Sequence, residues 1–197
     1  MKKCNPTFLV VQNVFLFVLI FSLLGCQSEY DKWVDQELAR NVKIDSVFFD
    51  LRLGESKEVY FKKCWDLNHD RIITQGRSYH LLKHNYTDTT EMDGKNDFYI
   101  EFQGVFNKDN KVKGLDAKFS HRLWSIWSQE YHADKLLPKV LDSLSKWFPG
   151  NAFTPFDLDS DSIPRVYVKI DGDRRFRVYP IDTRDVAVKI DDLNENN

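Results

Sequence analysis

Two rhythms of apolar residues run along the chain, one with the period of a strand and one with the period of a helix. The order in which they follow each other sets the expected fold class. Residues 8–24 are apolar apart from Gln12, Asn13 and Ser22, and residues 27–42 are mostly polar. "IDSVFFDLRLG" then alternates, with Val47, Phe49 and Leu51 on one side and Phe48, Asp50 and Arg52 on the other. That pattern predicts a strand, ended by Gly54. Ser56 reads as a helix N-cap, because its hydroxyl can accept from a free backbone N–H of the first turn, and Glu55 and Glu58 suit the positive helix start. Tyr60, Cys64 and Leu67 fall at i, i+4 and i+7, flanked by Phe61 and Trp65, which predicts one broad apolar helix face.

Strand rhythm resumes downstream. "RIITQGRSYHLLKHNYT" predicts one or two strands broken near Gly76, and "TDTTEMDGKND" a polar loop. "DFYIEFQGVF" and "VKGLDAKFS" predict two more strands, joined by "NKDNK", whose Asn and Asp residues favour a turn. A second helix is expected from near Asp134, with Leu136, Leu137, Val140, Leu141 and Leu144 as its stripe and Trp147 and Phe148 continuing it. Pro138 is placed in its first turn, and Pro149-Gly150 stops it. "NAFTPFDLDSDSIP" reads as loop, "RVYVKIDGDRRFRVYP" as a hairpin turning at Asp171-Gly172, and "DVAVKIDDL" as a last strand. Runs of strands linked by hairpin turns argue for an antiparallel sheet and an α+β fold with two main helices. Because a helix followed by hairpins occurs twice, two helix-plus-hairpin units are expected, although no residue-level repeat accompanies them.

The N-terminal apolar run has the parts of a secretory signal: Lys2 and Lys3, then the oily stretch, then Gly25 before Cys26. The portion after Asn13, Val14 to Leu24, is about 16 Å long as a helix, too short for a hydrocarbon core of roughly 30 Å. "Leu23-Leu24-Gly25-Cys26" resembles the lipobox of bacterial lipoproteins, with Leu24 where a smaller residue is usual. The resemblance implies acylation at Cys26 and cleavage before it. The expected organisation is a signal peptide over 1–25, a polar tether over 26–43 and one α+β domain over 44–197. Several acyl chains give stable membrane attachment where one would be marginal. Gln27 follows the cysteine, and "CQSEYD" resembles the short acidic export signal that Bacteroidota place behind the lipid cysteine. Both favour the outer membrane, facing either the periplasm or the surface.

Composition narrows the partners. The chain carries 28 Lys and Arg against 30 Asp and Glu, and losing Lys2 and Lys3 makes it more acidic still. Nucleic acid is therefore not an expected partner. With Cys4 removed and Cys26 acylated, Cys64 has no intramolecular disulfide partner, so the fold must rest on its core. "FDLRLGESKEVYFKKCWDLN", the "TQG" after it and the later "LWSIW…ADKLL…KWFPGNAF" resemble a group of uncharacterised lipoproteins of Bacteroidota, which carries no activity to transfer. The element order also resembles the helix-then-hairpin modules of a small lipoprotein of the outer-membrane β-barrel assembly machinery and of the β-lactamase inhibitor protein.

Candidate chemistry is sparse. His80 and His84 share a face but lack the Glu of a zincin pattern, Leu81 standing in its place. Asp157, Asp159 and Asp161 have the alternate spacing of a calcium loop, with Ser162 where Gly is needed and Val168 where the bidentate Glu belongs. Cys64 lies on the apolar stripe, where a cysteine is usually inert. Arg175 and Arg177 share a strand face with Tyr179 and are expected to pair with acids such as Asp171 or Asp185. Trp124, Trp127 and Tyr131, at i, i+3 and i+7, are either helix core or stacking platforms for a ligand. No catalytic residue, metal site or cofactor is assigned. The expectation is a non-enzymatic binding module with an envelope protein or a glycan as partner; the alternative is an envelope hydrolase acting on glycan or peptide.

Overall fold

The computed structural model describes residues 28–78, 80–89, 94–158 and 165–196. Cys26, Asp159 and Asp161 lie outside the described residues. Two compact units are distinguished, Met1–Gln36 and Glu37–Asn197. The described part of the first is the start of helix α1 (Glu29–Ala39), where Ser28 Oγ accepts from the Asp31 N–H at 3.0 Å and so caps the first turn. The second unit begins at Glu37, ahead of the boundary at 44 that polarity alone suggests. Glu37 is buried, the Ile44 N–H donates to Asp173 Oδ1, and the Asp173 N–H donates to the Val42 carbonyl.

Unit two contains helix α2 (Lys57–His69), strands β1 (Thr74–Gln75), β2 (Leu82–Tyr86), β3 (Phe98–Phe106) and β4 (Val112–His121), helix α3 (Ala133–Trp147), and strands β5 (Thr154–Asp157), β6 (Arg165–Asp171), β7 (Arg174–Pro180) and β8 (Asp185–Asp192). All eight strands form one antiparallel sheet in the order β1-β2-β3-β4-β8-β7-β6-β5. Each half is thus a helix followed by a four-stranded meander, and the last strands of the two meanders, β4 and β8, pair at the centre. This is the α+β class, built as two helix-plus-hairpin units.

Local chemistry accounts for the boundaries. Ser56 caps α2 as its position requires, its Oγ accepting from the Val59 N–H. Asn107 closes the β3–β4 turn by accepting from the N–H groups of Asp109 and Lys111, while Asn110 takes a positive φ. Four expectations are corrected. "IDSVFFDLRLG" is a tight reversal closed by a Ser46–Arg52 bridge, with Phe49 and Asp50 both at φ 57°; the reversal lets Val47, Phe48, Leu51 and Leu53 all turn inward. The β6–β7 loop is Gly172-Asp173, with Asp171 paired to Arg174 inside the ladder, and a positive φ only at Gly172. "TPFD" is a strand and not loop; Pro155 is tolerated because β5 is an edge. Pro138 falls in the second turn of α3, since the helix starts at Ala133.

One sheet face carries the core. Ile100 and Phe102 of β3 pair with Phe119 and Ala117 of β4, Phe98 and Leu115 extend the same face, and Val186, Val188 and Ile190 of β8 continue the layer to Val178 and Phe176 of β7. Tyr60 and Cys64 of α2 and Leu136, Val140 and Leu144 of α3 close over it. Beside this layer lies a buried set of charges. Lys169 Nζ donates to the Phe148 carbonyl, the C-cap of α3, and lies 3.3 Å from Asp171 Oδ2, which is 3.4 Å from Arg174. Asp171 Oδ1 accepts from the Asn151 N–H, and Glu37 Oε2 from the Gly172 N–H.

Candidate functional site

Helix α2 follows the amphipathic rule only in part. Tyr60 and Cys64 are buried, but Phe61 is 49% and Trp65 76% exposed. Both therefore stand outside the single apolar face expected for this helix. They line a groove of about 800 Å³ between α2 and the β1–β4 half of the sheet, within the size range of small-ligand sites. The ring of Phe61 is stacked on Phe106 of β3 at 5.9 Å between centroids, and Tyr60 meets the same Phe106 edge-on at 5.3 Å. Gly104 makes this possible, because a Cβ there would come within 2.9 Å of the Tyr60 ring. Polar side chains border the groove, Asn68 on α2 itself and Gln75 of β1, with His80 ahead of β2.

Two groups under the groove titrate far from their ordinary ranges. Burial pushes the Cys64 thiol up to about 11, and burial, reinforced by Cys64, raises the Tyr60 hydroxyl well above the usual phenol range. Cys64 is thus held as a neutral thiol at physiological pH, the opposite of an activated nucleophile.

The three aromatics singled out in the sequence are not on a helix. Residues 122–132 form consecutive turns ending in a 3₁₀ turn at Gln129–Tyr131, so i, i+3, i+7 spacing does not align them. Trp127 is 89% exposed at the tip, beside exposed Leu123 and Ile126. Trp124 braces the loop, its Nε1–H donating to the Thr183 carbonyl at 3.2 Å under the Arg184 guanidinium. Tyr131 packs on His121, centroids 4.5 Å apart.

No family model, curated protein or solved structure matches this chain. Its chemistry is therefore read from side-chain placement alone. His84 Nδ1 lies 2.6 Å from the Ile72 carbonyl, His121 Nε2 2.6 Å from the Lys95 carbonyl, and His132 Nε2 3.2 Å from the Ser125 carbonyl. In these three the contact oxygen is a backbone carbonyl, where a general-base pair needs a carboxylate. His80 lies ahead of β2, so it and His84 do not share a strand face. Among the described residues no three His, Cys, Asp or Glu side chains are grouped to hold a metal ion, and no helix is long and apolar enough to cross a membrane. Arg175 and Arg177 both bind Asp191 of β8, which pairs directly with Arg175 and lies diagonally from Arg177, an acid other than the two named from the sequence.

A second cavity, about 370 Å³, lies under the Phe48-Phe49 reversal against Tyr86, Ile100 and Trp147. Its lining belongs largely to the aromatic core, where Tyr86 stacks on Phe98 and Phe48 meets Trp147 edge-on. The α2 groove differs in presenting exposed rings. The signal in the sequence was position: Phe61 and Trp65 are one turn apart and one residue off the Tyr60–Cys64 stripe.

Proposed function

We propose that the protein is a lipid-anchored cell-envelope protein, acylated at Cys26 and held at the outer membrane, whose folded unit is a non-enzymatic binding module. The observation that carries the module is the α2 groove. Two large aromatic side chains that would gain from burial face solvent instead, Phe61 held by its stack on Phe106, and hydrogen-bonding side chains border them. The anchor rests on the charged start, short apolar stretch and Gly25-Cys26 junction of the N-terminus. The partner expected at the groove is an envelope protein or a glycan.

Metabolic palmitate labelling of wild type and Cys26→Ala tests the anchor: label and membrane retention should be lost together in the variant, and a labelled variant would sink it. Co-purification from native membranes tests the module. A Phe61→Ala/Trp65→Ala variant should lose a component that wild type retains. Equal recovery, or substrate turnover by the purified protein, would overturn this reading.

A further inference from the structure

We propose that the α2 groove takes a neutral oligosaccharide, laid face-on against Trp65 and Phe61. This deepens the binding-module reading and rests on it. Trp65 and Phe61 are four residues apart on α2, about 6 Å along the helix axis, a separation comparable with one pyranose unit. The face of an aromatic ring is electron-rich, and the axial C–H groups of a pyranose carry the complementary polarisation. Phe61 is held by its stack on Phe106, so part of that platform is set before a ligand arrives, which lowers the ordering cost of binding.

The rest of the lining agrees with a sugar. Asn68 and Gln75 present amides, Asn68 also donating to the Ile73 carbonyl; an amide both donates and accepts, as a row of hydroxyl groups requires. Among the described lining residues on the α2 side, the one formal charge is the Lys57 ammonium, which lies 5.4 Å over the Phe106 ring, so no charged cluster favours an anionic or a cationic polymer. The other face of the sheet provides the contrast: Arg175, Arg177 and Lys189 stand there with Asp191 and Asp116 in a charged lattice. An acyl chain or an amphipathic helix would bury the amide of Gln75 against apolar groups, leaving it without partners.

The test is binding of the purified soluble unit to an array of neutral glycans, followed by affinity electrophoresis through gels cast with the neutral polysaccharides that score and with polygalacturonate as the charged control. Wild type should be retarded by at least one neutral glycan. Trp65→Ala should weaken that binding at least tenfold, and Phe61→Ala should weaken it as well. Trp127→Ala, which removes an exposed ring elsewhere, should leave it unchanged. Trp65→Ala replaces an exposed side chain and its unfolding midpoint should match wild type; Phe61→Ala gives up the stack on Phe106, so its midpoint should fall slightly while the cooperative transition persists. No binding across the neutral array, retardation by polygalacturonate alone, or retardation indifferent to Trp65 overturns the proposal. If glycans fail but the native-membrane component is still lost in the double variant, the module survives with a protein partner. If neither depends on Trp65 and Phe61, both readings fall.

Discussion

Cys64 and Tyr60 sit one helical turn apart under the groove, and their protonation is tied to folding. The thiol is raised from 9.0 to about 11 by burial, so the folded chain holds its proton more tightly than the unfolded chain does. Stability from this group is complete below pH 9 and is lost as pH rises from 9 towards 11. Between pH 8 and pH 10 the loss is about 1 kcal/mol. Urea unfolding should show that loss in wild type and a smaller one in Cys64→Ala. Asp171 makes a sharper case, since it is buried between Lys169 and Arg174 and also accepts from the Asn151 N–H. Asp171→Ala should cost about 3–5 kcal/mol, because it leaves two buried cations uncompensated. Adding Lys169→Met to it should recover part of that cost, because one of those cations is then gone. A double variant no more stable than the single would show that Lys169 does not depend on Asp171.

At the scale of elements, the loop between β4 and α3 hangs on His121. Nδ1 of the ring accepts from the Leu123 N–H while Nε2–H donates to the Lys95 carbonyl, a pattern only the neutral tautomer can make. Burial, with a further push from the Lys139 ammonium, lowers the pKa of His121 from 6.5. The unfolded chain therefore binds the proton first as pH falls, and stability drops below pH 6.5. The Leu123 amide should exchange faster at pH 5.5 than the intrinsic pH dependence of exchange allows. In His121→Gln this excess should vanish. The same loop shows where the sequence could be read and where it could not. β3, β4, β6, β7, β8 and both main helices were legible because period and turn residues agree. The Trp124–Tyr131 spacing mimicked a helix whose hydrogen bonds never form, and the 47–52 alternation mimicked a strand where two positive-φ residues fold the chain back. Of the groove, Phe61 and Trp65 were visible as residues flanking a stripe. The placing of Phe61 is decided by Phe106 and Gly104, more than forty positions downstream in the chain.

For the whole molecule, the repetition of a helix and a strand run could be read from element order, but the seam between the halves could not, because β4–β8 pairing joins segments with no local signal between them. The seam makes the two halves one cooperative body. The core layer crosses it without a break, from Phe102 through Ala117 and Val188 to Val178. Gly114 lies on the seam opposite Asp191, and a Cβ there would come within 2.7 Å of the Ile190 carbonyl oxygen. Backbone cannot yield there as a flexible side chain would, so Gly114→Val must push β8 away from β4 or distort both. The expected cost is about 3 kcal/mol, at the upper end for overpacking. Because β3 and β7 each pair with one seam strand, their amides should lose exchange protection by the same factor. Unequal losses, with one meander opening while the other keeps its wild-type protection, would mean that the halves are separate folding units resting against each other.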